Sequence, residues 1–579
     1  MLLTMPRRAR QLLLTGVMLF CFGDSGFSQG NAKAGENPAK PAAQSQSGGG
    51  QISEAELVGL PMNGRSYSQL ATLQAGVTDS SSTSASRGGG SGSINVVGGR
   101  GTSNNFLLDG TNIMNTENQV PRSAAGVQLG SDAVLQVQVL SAFYGAEWGR
   151  GSGGVLNSIT RSGTPVIHGT LFEYLRNSKL DARSFFDPGV NPPPFKRNQF
   201  GFSLTGPLWK DRTFFMGSFE GLRDRLTDTN VDFFPDTLAR QGIITDRTGA
   251  VLQTVNVHPR VVPYLGIMPL PNSVPLGGGL SQNTADQYLP TDEDFLTIRI
   301  DHKLNDRDSL FARYSFDDAS STAAEITYLW NVLNESRQQY FTLVESHIFS
   351  TALLSAVRLS FTRPVNFQKS QPTRGVSEVP RELYFVPGAP QFGVITVPSM
   401  SPIGPNVGLP QRDPLTSFQL AGDVLWRQNR HGWRFGVDSH YHRMNSYSSF
   451  NKSGAWTFNS LDSFLQAGPA GTGLTVGLPG SDNTRDFRQV LMGVYAQAEF
   501  RLRPNLSLTL GARYEFTTKI HDRMNKNVFL DDPLRDTAVQ IGELFGRNPA
   551  YRNFAPRMGL RWNPFSGRGT LIQAGAGVF

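Results

Sequence analysis

Few side chains in this sequence are spaced for catalysis. Gly23-Asp24-Ser25-Gly26 spells a serine-protease-like GDSG, but it lies where a leader would be cut away. No P-loop, HExxH motif or paired His/Cys ligand set occurs, and the run Gly88 to Gly92 lacks the strand–helix context of a dinucleotide fingerprint. His168 and His302 fall on strands, where a wall or lumen position is expected rather than metal ligation. Carboxylates abound in loops, yet nothing fixes a pair at acid/base spacing. The expectation is a non-enzyme with no metal and no cofactor. The spacing that does stand out belongs to turns. Gly99 and Gly153-Gly154 suit positive φ or close backbone approach, as a domain wedged against a wall would require. Asp109-Gly110 is a turn-forming pair.

The elements that position these turns begin with a leader. Arg7, Arg8 and Arg10 precede an apolar run from Leu12 to Phe22, and Gly26-Phe27-Ser28 follow. Charged flank, short apolar stretch and small residues read as a signal peptide over 1–28, too short to cross a bilayer as a helix. Its removal takes Cys21, the sole cysteine, and with it any disulfide or thiolate metal site. Residues 29–50, rich in Ala, Pro, Gln, Ser and Gly, read as a flexible linker. Residues 51–163 mix short apolar pieces with Gly-, Ser- and Asn-rich turns, the texture of a small α/β unit. The 53 basic and 46 acidic residues are interspersed, so the +7 charge does not point to nucleic acid.

From 164 to 579 the period is two. Leu296, Ile298, Ile300 and Leu304 alternate with Thr297, Arg299, Asp301 and Lys303. Leu506, Leu508, Leu510, Ala512, Tyr514 and Phe516 alternate with Ser507, Thr509, Arg513 and Glu515. Strands of about 10 residues with one apolar and one charged face fit a tilted membrane-barrel wall. A soluble β-sandwich also alternates, but here tight turns and long loops take turns along the chain. About 70 residues precede Asp294 and about 50 separate Arg363 from Thr416. That sorting is how outer-membrane barrels place long loops outside. About 13 strands are expected, near 167–176, 197–207, 212–222, 293–304, 308–317, 338–349, 353–363, 416–427, 431–442, 490–502, 505–517, 555–563 and 569–579. The last ends at Phe579 without a closing partner. An unclosed sheet in lipid leaves unpaired edges, so the reading frame is expected to continue beyond Phe579 and the barrel present here to be incomplete.

The first unit also carries an ordered set of motifs. Val97-Gly98-Gly99-Arg100-Gly101 is followed by Leu107-Leu108-Asp109-Gly110-Thr111, Val137 to Leu140, Tyr144-Gly145-Ala146-Glu147-Trp148-Gly149, and Gly153-Gly154-Val155-Leu156-Asn157. Leu60-Pro61-Met62-Asn63-Gly64-Arg65 stands ahead of them. This order resembles the plug of TonB-dependent outer-membrane receptors, most of all the Oar-like branch. The resemblance implies a mainly β protein: an N-terminal α/β plug, then an antiparallel transmembrane β-barrel. It also implies an outer-membrane location, contact with membrane lipid, a TonB-type energising partner in the inner membrane, and a transported ligand that the sequence leaves unknown. The implied plug signature is Gly99, Arg100, Gly101, Leu108, Asp109, Gly110, Tyr144, Gly145, Gly153, Gly154, Val155 and Asn157. The chain departs from the branch in lacking a β-sandwich ahead of the plug. It shows no TonB box, the segment that would pair with the energising partner by strand addition, since Ile52 to Leu60 is acidic and broken. Two functions follow: import or export of a scarce solute through a plugged barrel, or a non-energised surface adhesion or scaffold barrel.

Overall fold

The computed structural model describes residues 21–24, 48–60, 62–79, 94–116, 118, 123–126, 129–182, 192, 194–468, 473–478, 480–565 and 570–579. Most of the leader, nearly all of the linker, Pro61 and the glycine run at 88–92 lie outside these.

The N-terminal unit is built on a five-stranded sheet. Strand β1 (Gly48–Ile52) pairs with β4 (Val134–Ala142), β4 with β5 (Val155–Thr160), β5 in parallel with β2 (Asn105–Leu108), and β2 with β3 (Thr111–Asn112). Helix α1 (Glu54–Gly59) starts at a capping box, in which the Ser53 hydroxyl and the Glu56 carboxylate satisfy each other's backbone N–H groups. Its Leu57 joins Ile52, Leu70, Ile94, Phe106, Val137, Val139 and Leu156 in one apolar core.

Thirteen long staves follow: β6 (His168–Asn177), β7 (Phe195–Trp209), β8 (Thr213–Pro235), β9 (Leu280–Lys303), β10 (Asp308–Ala324), β11 (Trp330–Ser350), β12 (Leu353–Pro372), β13 (Leu415–Gln428), β14 (His431–Ser448), β15 (Arg485–Arg503), β16 (Leu506–Thr517), β17 (Asn553–Trp562) and β18 (Thr570–Gly577). Each pairs antiparallel with the next. Cys21–Asp24 pairs with β18. The expected mainly β fold and its strand positions are therefore borne out. Ile298, Ile300, Tyr314, Leu359, Phe418, Val494 and Leu510 are exposed on the outside, while the alternate Thr297, Arg299, Arg313, Thr342, Ser360 and Arg513 are buried on the inside. An apolar exterior over a polar, plug-filled lumen is the arrangement lipid demands.

The staves outrun the sequence-based estimate on the long-loop side. Strand β9 has 24 residues and β8 has 23, where a bilayer needs about 9–11. The 70-residue loop ahead of Asp294 shrinks accordingly, because Leu280–Glu293 is strand. Above the wall the remaining loops fold on one another into a cap. Its buried core draws Leu265 and Met268 from one loop, Phe392 and Ile403 from a second, and Phe464 and Leu465 from a third.

Candidate functional site: the seam between plug and wall

The turn joining β2 to β3 places Asp109 at φ 50° and Gly110 at φ 74°. The Asp109 N–H donates to the Ser158 carbonyl (2.8 Å), and its carboxylate accepts from the Thr160 N–H (2.9 Å) and hydroxyl (2.8 Å). The Gly110 N–H donates to Asn157 Oδ1 at 3.0 Å. These bonds aim the Asp109 carboxylate at the wall, where Arg313 Nε lies 2.9 Å away and Arg299 Nη1 3.8 Å away. All three side chains are buried. Arg299 also pairs with Asp301 at 2.6 Å, which balances two guanidiniums with two carboxylates. Arg313 donates onward to Thr342 Oγ1 (2.6 Å) and to the Leu108 carbonyl (3.3 Å). A buried ion pair of this kind is strongly damaged when one partner is removed, because the other stays desolvated and unpaired. A Cβ at Gly110 would stand 2.4 Å from the Arg358 guanidinium of the wall, so that side chain's tip would have to shift.

A second contact runs along the arc from Tyr144 to Arg150, and here the wall grips the plug's backbone. Arg557 donates to the carbonyls of Trp148 (2.7 Å) and Gly145, and Arg513 donates to that of Ala146 (3.4 Å). Gln497 accepts the Ala146 N–H (2.8 Å) and Glu515 the Arg150 N–H (3.1 Å). Glu147 pairs with Arg434 at 2.8 Å. Arg150 reaches His440 Nδ1 (3.2 Å) and His442 Nε2 (3.4 Å), and burial pulls its guanidinium below its ordinary range. The Tyr144 hydroxyl turns inward to the carbonyls of Gly151 (2.9 Å) and Gly153 (3.0 Å). Burial pushes that phenol up to about 12, so it serves as a neutral donor.

The third contact comes from Asn63-Gly64-Arg65. Arg65 Nε meets Glu220 of the wall at 2.9 Å while its Nη2 meets Asp132 of the plug at 2.9 Å, a forked use of one guanidinium. The same group stacks 4.1 Å above the Phe172 ring. Glu220 further accepts the Gly130 N–H (3.0 Å) and the Gln199 amide (2.8 Å).

The motif residues thus divide. Asp109, Gly110, Tyr144 and Gly145 lie at the seam, with Asn157 one bond behind it. Gly153 and Gly154 pack within the plug, where a Cβ would strike Asn104 Oδ1 (2.4 Å) or Val96 (2.7 Å). Gly99 likewise approaches the Val96 carbonyl, and the positive φ sits one residue earlier, at Gly98. The close approach expected of these three glycines is therefore to the plug's own residues rather than to the wall. Leu108 and Val155 are buried in the plug, Gly101 opens a short 3-10 turn, and Arg100 is exposed. The wall's share of the seam (Glu220, Arg299, Arg313, Arg513 and Arg557) escaped the motif reading. Its signal was present as the charged face of each alternating strand.

Known proteins bear out this architecture. The TonB-dependent transporter Oar of Myxococcus xanthus is 26% identical over 132 residues, which are 22% of this chain and 12% of that protein. The outer membrane transporter YddB from Escherichia coli superposes with a TM-score of 0.55 at 12% identity, over 92% of this chain and 62% of that one. A point mutant of the ferric enterobactin receptor PfeA from Pseudomonas aeruginosa gives 0.51 at 15% identity, over 92% and 61%. The two solved structures speak for the fold, and this chain spans less than two thirds of each of the three proteins. Residues 159–579 match the family described as Outer membrane beta barrel domain. The chain belongs to that family and is a protein of the outer membrane.

Proposed function

We propose that this chain serves an outer-membrane receptor that moves a scarce solute inward through a plugged barrel, energised by a TonB-type protein of the inner membrane. In this reading 1–28 is a cleaved leader, 29–50 a linker, 51–163 the plug and 164–579 the wall. The twelve motif residues set the plug's internal turns and its fit in the lumen. The observation that carries it is the chemistry of the seam: ion pairs and backbone hydrogen bonds hold the plug, and an applied pull can exchange these for water. No chemistry on the solute is implied. The protein in its native outer membrane should resist extraction without detergent and show heat-modifiable gel mobility. Uptake of the cognate solute should collapse in a strain lacking the energising protein.

A second reading, a non-energised adhesion or scaffold barrel, draws on the apolar cap, which makes the outer loops one body. It wins if every phenotype survives loss of the energising protein.

A further inference from the structure

Buried carboxyl groups at the seam fall into two kinds. Asp109, Glu147 and Glu220 each face an arginine. Glu293 of β9 and Asp317 of β10 face each other. They sit on neighbouring staves a diagonal step apart, since Phe295 pairs with Asp317 and Glu293 with Ala319. Glu293 is 1% exposed and Asp317 7%. Their carboxyl groups hydrogen-bond to one another, and the plug's Ser123 stands beside Glu293. The plug covers this stretch of wall, with Ala125 and Leu129 packed on Leu222 and Phe295. The charged groups that act on the pair are carboxylates committed to other cations. Glu220 of β8 holds Arg65, Asp294 of β9 holds Arg223, and Asp318 of β10 holds Arg337. Tyr340 of β11, beside Asp317, donates its hydroxyl to Gln338 at 2.6 Å.

Two ionised carboxylates cannot hydrogen-bond, because neither has a proton to donate. Burial and the like charge of the partner both favour the neutral form, as in other carboxyl pairs that share a proton. We infer that Glu293 and Asp317 keep one proton between them and that this proton latches the plug, which seats over the protonated pair and loosens when the proton is lost. While the plug covers the pair, the proton has no route to water. When the plug withdraws, water reaches both groups, each ionises in the ordinary carboxylate range, and the proton passes to solvent. The seated form therefore binds one proton more than the open form. Seating weakens as pH rises from the ordinary carboxylate range to that of the covered pair.

The inference builds on the plug-in-wall arrangement, not on transport, and it is tested on the full chain purified in detergent. The rate of limited proteolysis within 51–163, normalised to the protease's rate on a free peptide, follows the open population when reclosing is fast. From about pH 5 upward the wild-type rate should climb, by as much as about tenfold per pH unit, until the covered pair itself titrates. In the double variant Glu293→Gln/Asp317→Asn, which keeps shape and hydrogen bonding without a proton to lose, that climb should vanish. Infrared spectra of the wild type should show the carbonyl stretch of a protonated, buried carboxyl at neutral pH, and its loss at high pH. This second readout stands even where the variant fails to fold. Three results would overturn the proposal: no such band at neutral pH, a wild-type rate that is flat or falls as pH rises, or an equally steep climb in a folded double variant.

Discussion

Around Asp109 and Arg150 the plug meets the wall through guanidiniums, carboxylates and backbone carbonyls. Around Phe464 and Phe392 the outer loops meet one another through hydrocarbon. Both regions are buried and both join distant stretches of chain, so burial alone does not separate them. What separates them is the state that follows opening. Hydrocarbon exposed to water is penalised in proportion to its area. Ions and amides exposed to water regain hydration, so most of their gross attraction is returned. The cap is therefore suited to stay closed, and the seam to open and close again.

The sharpest way to break this contrast is Arg313→Ala. It leaves the Asp109 carboxylate buried beside Arg299 alone, and should cost about 3–5 kcal/mol of plug seating. Protease accessibility of the plug reads this. The double variant Arg313→Met/Asp109→Asn should recover most of the loss, because neither charge is then stranded. If the single variant behaves like a surface change, the ionic account of the seam fails. Phe464→Ala should cost a comparable amount, about 3–5 kcal/mol, but in the other region. Hydrogen exchange should rise in the loops at 236–279, 373–414 and 449–484, with the plug unchanged. Spread of that effect to Asp109 would join what the contrast divides. The smallest change is Gly110→Ala, expected to cost about 1–3 kcal/mol from a positive φ and the crowding of Arg358. Its thermal shift should shrink when Arg358 is shortened to Ala, since only the backbone strain then remains.

These regions also differ in how far the sequence exposes them. All thirteen staves are legible because lipid on one side and a polar lumen on the other force a period of two, seen in Leu296 to Lys303 and Leu506 to Phe516. The same staves become illegible where they leave the bilayer. Ser281 to Asp294 reads SQNTADQYLPTDED, and with water outside there is no apolar face to alternate, although the ladder continues. The plug turns can be read from local chemistry, as in Asp109-Gly110. Their wall partners cannot, because the Arg313–Leu108 contact spans 205 residues and no local pattern marks which lumen arginine takes which turn. The cap's core residues Val261, Leu265 and Met268 stand at helical spacing, but the helix they flank (Val262–Leu265) is a single turn, and nothing local marks which other loops it meets.

The β8–β9 ladder runs from Thr213↔His302 to Pro235↔Leu280 without a register shift. In mechanical terms it is a mast. A slip by one residue would turn every side chain to the opposite face, presenting Arg299 to lipid and Ile300 to the lumen. The smallest permitted shear is thus two residues, with the whole ladder re-formed. This ladder cannot relay small displacements from cap to base by sliding, which leaves the plug, and the side chains that touch it, as the parts beside it that can move.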